Sequence, residues 1–375
     1  MKRVYTHGNE AIAEGALTAG LRFYAGYPIT PTSDIMEYLA RKLPEHGGVL
    51  MQFEDELASI NAAIGASWAG AKSMTATSGP GFSLMVEGLG LGIITETPVV
   101  IAYVMRAGPS TGVPTKATQA DIMQARFGSH GDYIIPVYAP SSVQEAYDLT
   151  IKAFNTAEML RTPVILLSDA TIAHLWESAV FREPGEVEII ERKKPKVPPE
   201  EYWPYKPDED DGVPPMAVFG EGYHVIVESL THDERGYYIQ DTMVQRRMVE
   251  RIVNKILKNI DKIFEYDTYY LDDARYVFIS FGSSARSTLA VVRDLRNEGI
   301  KAGMIKLKTI WPLKDDLIRK LCSNADKVFV VENNMGKLVW DIQRIVRDRE
   351  VIPVSIIDLD LPSPKEIRSV VDKWL

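Results

Sequence analysis

Three side chains in the first third of the chain have types and surroundings that suit proton exchange and the recognition of a small anion. Glu56 stands in "FEDELASINAAIGASWAGA" (53–71), at the mouth of an Ala/Gly/Ser-rich segment with almost no other charge. Small residues let such a helix pack closely, so a carboxylate at its start is open to desolvation, which raises its pKa and suits proton exchange with a nitrogen base. Glu54 and Asp55 beside it read as acids complementing a helix N-terminus, whereas Glu56 differs in context because it leads into the uncharged segment. Arg106 follows the apolar run "TPVVIAYVM" and opens the loop "RAGPSTGVPTKATQAD" (106–121). A guanidinium at the C-terminal end of a buried parallel strand suits bidentate recognition of a carboxylate, or alternatively pins loop carbonyls. Thr30 lies in "GYPITPTSDIMEYL" (26–39), where Pro28 and Pro31 fix two backbone angles and Thr30, preceding a proline, is pushed toward an extended conformation. Thr32 or Ser33 is then expected to cap the following helix. The Gly-Pro-Gly of "TATSGPGFSLMVEGLG" (75–90) either lets a ligand approach a helix start or serves tight packing; for the similar "SFGSSARS" (280–287) packing is the expected use.

The elements that position these residues follow a strand–helix rhythm. "LRFYAGYPIT", "KSMTAT", "TPVVIAYVM", "IIPVYAP" and "TPVILLSDA" read as strands, with helices at 32–43, 55–70, 81–95, 117–127 and 141–159. Strands spaced by helices of this length imply right-handed βαβ units and a parallel sheet. Residues 187–215 collapse into Pro and charge, and "ERKKPKVPPEEY" within them reads as a solvated linker. A β excursion over 217–238, a helix at 241–264 and the strands "ARYVFISFGSS", "KAGMIKLKTI", "KVFVVENN" and "VSIIDLD" complete the chain. The expected division is 1–190, 191–244 and 245–375, all of α/β class around a Pro/charge-rich linker.

Composition narrows the function. With 375 residues, 46% apolar and 25% charged, the chain is that of a globular protein of two or three domains. A formal charge of −9 argues against a general nucleic-acid or anionic-membrane binder. The single cysteine, Cys322, excludes an internal disulfide framework and an iron–sulfur cluster held by this chain alone. The start "MKRVYTHGNEA" lacks the apolar stretch of a secretory leader and residues 88–105 are too short and interrupted to span a bilayer, so a cytoplasmic protein is expected. Phosphate-loop, zinc-protease, hydrolase-elbow and CxxC motifs are all missing, and the histidines show no metal-ligand spacing.

Taken together, "YPITPTS", "EDELASI", "ATSGPGFSLM", "MRAGPSTGVPT", "QADIMQARFGSHGD", "HDERG" and "VENNMGKL", in this order, resemble alpha subunits of the 2-oxoacid:ferredoxin oxidoreductase family, most closely those acting on 2-oxoglutarate. The resemblance implies a thiamine-diphosphate-binding fold: a pyrimidine-type domain with a helix-flanked parallel sheet, and a transketolase C-terminal-like α/β domain. It implies oxidative decarboxylation of 2-oxoglutarate with coenzyme A to succinyl-CoA, CO2 and reduced ferredoxin. Glu56 falls on the family's glutamate that hydrogen-bonds the cofactor's aminopyrimidine ring and promotes removal of the thiazolium C2 proton. Thr30 and Arg106 fall on the Thr and Arg that hold the substrate's 2-oxo carboxylate. A beta subunit would carry the diphosphate and Mg2+ site, and gamma and delta-type subunits would complete a complex whose iron–sulfur clusters lie outside this chain. No GDG motif with a downstream Asn is found here, in keeping with half an active site. Two alternatives stand beside this: another 2-oxoacid, such as 2-oxoisovalerate, pyruvate or an aryl pyruvate, or a non-catalytic scaffold. 2-Oxoglutarate needs a second cation for its distal carboxylate, for which Lys116 or a basic residue of the partner is a candidate.

Overall fold

The computed structural model describes residues 1–183 and 185–375. Along the first half of the chain run β1 (Lys2–His7), α1 (Gly8–Thr18), β2 (Phe23–Gly26), α2 (Ser33–Lys42), β3 (Val49–Gln52), α3 (Glu56–Trp68), β4 (Ser73–Thr77), α4 (Gly79–Ile94) and β5 (Val99–Met105). They continue with α5 (Ile122–Phe127), β6 (Val137–Tyr138), α6 (Val143–Leu160), β7 (Pro163–Asp169), α7 (Ala170–His174) and β8 (Trp176–Phe181). After a long irregular stretch come α8 (Thr242–Lys258), α9 (Ile260–Ile263), β9 (Tyr266–Tyr269), β10 (Tyr276–Phe281), α10 (Ser284–Asn297), β11 (Ala302–Leu307) and β12 (Thr309–Trp311). The chain closes with α11 (Asp315–Leu321), β13 (Lys327–Glu332), α12 (Leu338–Ile345), β14 (Glu350–Ser355) and α13 (Pro364–Val371).

A seven-stranded sheet has the order β12-β6-β7-β5-β4-β2-β3, parallel except for β12, and a five-stranded sheet has the order β14-β13-β10-β11-β9, parallel except for β9. The expected parallel sheets flanked by helices are therefore present. β5 and β7 are buried at every position, as central strands covered on both faces must be. From β2 the chain steps outward to β3, then crosses back to β4 on the other side of β2 and on to β5. That reversal creates a switch point beside β2, the place in open parallel sheets where the loops at the strands' C-terminal ends diverge and ligands are expected.

Several local expectations change. Helix 117–127 shortens to Ile122–Phe127 because the preceding backbone is drawn off to the second sheet: Ala117 N–H donates to Leu359 O at 3.1 Å and Gln119 N–H to Asn333 O at 2.9 Å. "VSIIDLD" is only partly strand; β14 begins earlier, at Glu350, and Asn333 Nδ2 holds the carbonyls of Asp358 and Asp360 beyond its end. The β excursion over 217–238 forms no strand among the described residues, only a bridge between His232 and Tyr238.

The Pro-rich stretch is not a solvated linker. Arg192, Tyr202, Tyr205, Val213, Met216 and Ala217 are all buried. The Arg161 guanidinium donates to the carbonyls of Pro204, Pro214 and Pro215 at 2.8–3.2 Å. A proline-rich strap has few N–H groups and many carbonyls, so buried guanidinium donors supply what a sheet ladder would otherwise give. "SFGSSARS" is used for packing, as expected. The Gly282 backbone, at φ +54°, comes so close to Gln119 that a Cβ would lie 2.6 Å from its Nε2. Ser283 N–H donates to Asp169 Oδ2 at 3.0 Å and Ser284 Oγ to Gln119 Oε1 at 2.7 Å. The second sheet is thereby clamped onto the loop that begins at Arg106.

Candidate active site at the C-terminal edge of the seven-stranded sheet

Thr30, Glu56, Gly79–Gly81 and Arg106 follow β2, β3, β4 and β5, four contiguous strands of the sheet. Glu56 is the first residue of α3. Asp55 before it is the N-cap, its side chain accepting from Ala58 N–H at 2.7 Å, so the capping and the Glu56 carboxylate are separate functions. Glu56 is 4% exposed, and burial raises its pKa; its own backbone N–H pulls the value back, Asp55 adds to the rise, and Arg106 again opposes it. A buried carboxyl of this kind holds its proton at higher pH than an ordinary glutamate.

The Gly-Pro-Gly turn explains where that carboxyl can sit. A Cβ on Gly81 would fall 2.2 Å from both Glu56 Oε1 and Thr77 Oγ1, an impossible approach. Gly81 is therefore the space into which Glu56 is seated, at the start of α4. Gly79 leaves room for Asp121 in a milder way: a Cβ there would lie 3.1 Å from its Oδ2, tight but not prohibitive, and 3.6 Å from the Tyr103 hydroxyl. Asp121 occupies the N-cap position of α5 without bonding that helix's N–H groups; burial raises its pKa, and Tyr103, Lys337 and Arg106 pull it back. Thr77 and Asp121 were not singled out from the sequence, although both lie inside quoted motifs. Thr77 had one signal, its place two residues before the Gly-Pro-Gly, whereas Asp121 had none.

Arg106 is 6% exposed. Its Nη1 donates to the Thr30 carbonyl at 2.8 Å, its Nε is buried without a partner, and it forms no ion pair among the described residues. Burial lowers its pKa, with Asp121 and then Glu56 opposing that shift. The carbonyl-pinning role is thus real but uses only part of the guanidinium. The Thr30 residue itself is exposed, between half-buried Ile29 and buried Pro31. Thr32 does not cap α2; its hydroxyl donates to Ile29 O at 2.8 Å, which ties down the turn instead. Lys116 is half-buried and paired with Asp360 at 2.8 Å, so it ties the loop to the second sheet. Burial pushes the thiol of Cys322 up to about 12, so it is a neutral core residue at neutral pH.

Among the described residues no cluster of three or more His, Cys, Asp or Glu side chains is placed to hold a metal ion, and no helix is long and apolar enough to cross a membrane.

A family of pyruvate flavodoxin/ferredoxin oxidoreductases, thiamine diphosphate-binding, matches residues 14–251, and the pyruvate:ferredoxin oxidoreductase core domain II matches residues 274–360. The chain belongs to the 2-oxoacid:ferredoxin oxidoreductase family. It is 48% identical over 99% of its length, and 100% of the relative's, to 2-oxoglutarate synthase subunit KorA of Methanocaldococcus jannaschii. It is 49% identical, over 97% of this chain and 96% of the relative, to the KorA subunit of Methanothermobacter marburgensis. The structure of 2-oxoglutarate:ferredoxin oxidoreductase from Magnetococcus marinus, with 2-oxoglutarate, coenzyme A and succinyl-CoA bound, superposes with a TM-score of 0.95 at 33% identity, covering 99% of this chain and 65% of that one. A split-gene transketolase, 14% identical with a TM-score of 0.52 over 98% of this chain and 95% of that one, shares the fold. Membership of this family accords with the resemblance carried by the ordered motifs. The chain is thus of the alpha-subunit kind within a family of oxidoreductase enzymes.

Proposed function

We propose that this chain supplies the aminopyrimidine side and the substrate-carboxylate site of a thiamine-diphosphate-dependent 2-oxoglutarate:ferredoxin oxidoreductase, which forms succinyl-CoA, CO2 and reduced ferredoxin. The observation that carries the reading is Arg106: a buried guanidinium with one hydrogen bond, an unpartnered Nε and no ion pair, on the same sheet edge as a carboxyl whose pKa is raised by burial. Asp121 and Glu56 act on Arg106 only at a distance, and a buried cation with no carboxylate in contact is costly, a cost that an incoming carboxylate relieves. 2-Oxoglutarate is preferred over pyruvate and 2-oxoisovalerate because the KorA relatives, aligned over nearly their whole length, are named for it.

Glu56 fits thiamine diphosphate: a buried carboxyl of raised pKa, in a niche that only glycine at position 81 leaves open, suits a proton-sharing hydrogen bond to a ring nitrogen. When bound, the cofactor's thiazolium supplies the electron sink for loss of CO2. The chain's own residues do the rest of this half-site. Glu56 holds the proton at the ring nitrogen, Arg106 draws in the 2-oxo carboxylate, and the Thr30 hydroxyl adds a short bond that orients the bond to be cleaved. In this reading residues 1–190 form the pyrimidine-type unit, 191–244 the strap and 245–375 the transketolase C-terminal-like unit. A beta subunit brings the diphosphate and Mg2+ site and the distal cation, while gamma and delta-type subunits, iron–sulfur clusters and a cytoplasmic ferredoxin complete the path of the electrons. The test is a panel of 2-oxoacids on the co-purified complex, with viologen reduction as readout and omission of coenzyme A and thiamine diphosphate as controls. 2-Oxoglutarate should give the highest kcat/KM. Equal rates with 2-oxoisovalerate would sink the substrate assignment, and no turnover of any 2-oxoacid would favour a scaffold.

A further inference from the structure

The turn that carries Thr30 cannot fasten itself. Pro28 and Pro31 have no N–H to offer, and the one backbone bond across the turn runs from Thr32 N–H to Ile29 O at 2.8 Å. Its three successive carbonyls, of Ile29, Thr30 and Pro31, are instead each taken by a side chain: Thr32 Oγ1 at 2.8 Å, Arg106 Nη1 at 2.8 Å and Asn9 Nδ2 at 2.7 Å. Two of these donors come from far along the sequence, so they decide where the turn sits on the sheet rather than its local shape.

Asn9 is fully buried on the first turn of α1, an element with no strong signal in the sequence. Both groups facing its Nδ2, the Pro31 carbonyl and Asp34 Oδ2 at 3.3 Å, are acceptors, which fixes the orientation of the amide. Its own anchorage is firm: α1 starts so close to α7 that a Cβ on Gly8 would lie 2.1 Å from Ile172 O. The amide is therefore a peg on a rigid helix, reaching the carbonyl next to the one Arg106 holds. We infer that Asn9 is a positioning residue for the 2-oxoacid carboxylate, setting the Thr30 turn against the end of β5 so that the Thr30 hydroxyl and the Arg106 guanidinium converge on one anion. Without the amide, the Pro31 carbonyl loses its partner and the turn is held over the site by the arginine alone, which the substrate must also engage. A displacement of about 1 Å costs on the order of 100-fold in rate constants of oriented reactions.

This inference rests on the functional reading above, and the experiment separates the two. Asn9→Leu, close in volume but without a donor, Asn9→Ser, polar but too short to reach, and Thr32→Val, which removes a different peg of the same turn, are compared in the assembled complex. The control is Thr97→Val, which breaks the buried Trp68 Nε1–Thr97 Oγ1 bond of 2.8 Å away from the turn. KM for the 2-oxoacid should rise roughly 10-fold or more in both Asn9 variants, and less in Thr32→Val, with thiamine diphosphate affinity within about twofold of wild type. The control should lower the melting temperature and leave KM alone. An unchanged KM in an Asn9 variant that assembles overturns the inference, as does a parallel fall in cofactor affinity or the failure of both Asn9 variants to assemble, which would make Asn9 a residue of the fold rather than of the site. A wild-type complex that turns over no 2-oxoacid overturns the functional reading instead, and the inference with it.

Discussion

Arg106 and Arg192 are the same residue type at the same 6% exposure, and the protein treats them in opposite ways. Arg192 spends its whole guanidinium. Nε and Nη2 form a bidentate pair with Glu158 at 2.7 and 2.8 Å, Nη1 donates to Ser67 O at 2.6 Å, and Nη2 also reaches Ala71 O at 3.1 Å. That is the behaviour of a structural rivet, fixing the strap to α3 and α6. Arg106 makes one bond and leaves a buried Nε unpaired. Arg161, fully buried with an unpartnered Nη2 of its own, still gives four hydrogen bonds to carbonyls, so what sets Arg106 apart is that it makes only the one bond to Thr30 O. The same contrast holds for acids. Glu96, buried among Arg251, Lys255 and Arg161, has its pKa held well below the usual carboxylate range, whereas Glu56, with only a distant arginine, has its pKa raised by burial. Glu96 and Arg192 are ion-paired within the fold, whereas Arg106 at the sheet edge is left available.

The contrast can be broken or sharpened by substitution. Glu56→Gln should give the largest effect, a loss of turnover of about 10²- to 10⁴-fold in the assembled complex, with assembly intact. It should also change stability with a definite sign. Because burial raises the Glu56 pKa, its contribution is fully present below the ordinary glutamate range and is lost as pH rises through the folded value. The neutral glutamine escapes that loss, so the variant should melt progressively higher than wild type as pH rises from acid to neutral, and a constant difference would contradict the assignment. Glu158→Ala should cost stability instead, about 3–5 kcal/mol, because it strands Arg192 as an unpaired buried charge. Thermal or denaturant unfolding of the complex measures it, and KM for the 2-oxoacid should be unmoved. Thr30→Val, nearly isosteric, is the smallest: loss of one hydrogen bond to a charged ligand raises KM about 10-fold with kcat and melting temperature nearly constant.

How far the sequence went toward this picture depends on what each signal was. Continuous apolar strands and long capped helices were legible, as Val99–Met105 and Val143–Leu160 show, because burial on both faces and Ser142 capping are local properties. β1, α1, β3 and β8 were missed: their strands are short, half-exposed or on an edge, and α1 is built largely from Ala and Gly with little amphipathic contrast. The strap was misread because proline and charge usually mean solvent, and only Arg161 and Arg192, donors from elsewhere or hidden within the run, reverse that. At the site, Glu56, Thr30 and Arg106 stand out in the sequence, and all three lie at the same sheet edge. Asn9, Thr77 and Asp121 do not, because their places are set by contacts across the chain rather than by spacing along it.

The central claim is that Arg106 is a cation kept open for a substrate carboxylate. Its most direct test is Arg106→Leu in the assembled complex, with 2-oxoacid KM, thiamine diphosphate affinity and unfolding free energy measured on one preparation. KM should rise about 100-fold or more, from the loss of a charge-assisted contact, while cofactor affinity holds and stability changes by no more than about 1 kcal/mol, the worth of the single bond to Thr30. A stability loss as large as that of Glu158→Ala, with KM unchanged, would make Arg106 a second rivet and contradict the account.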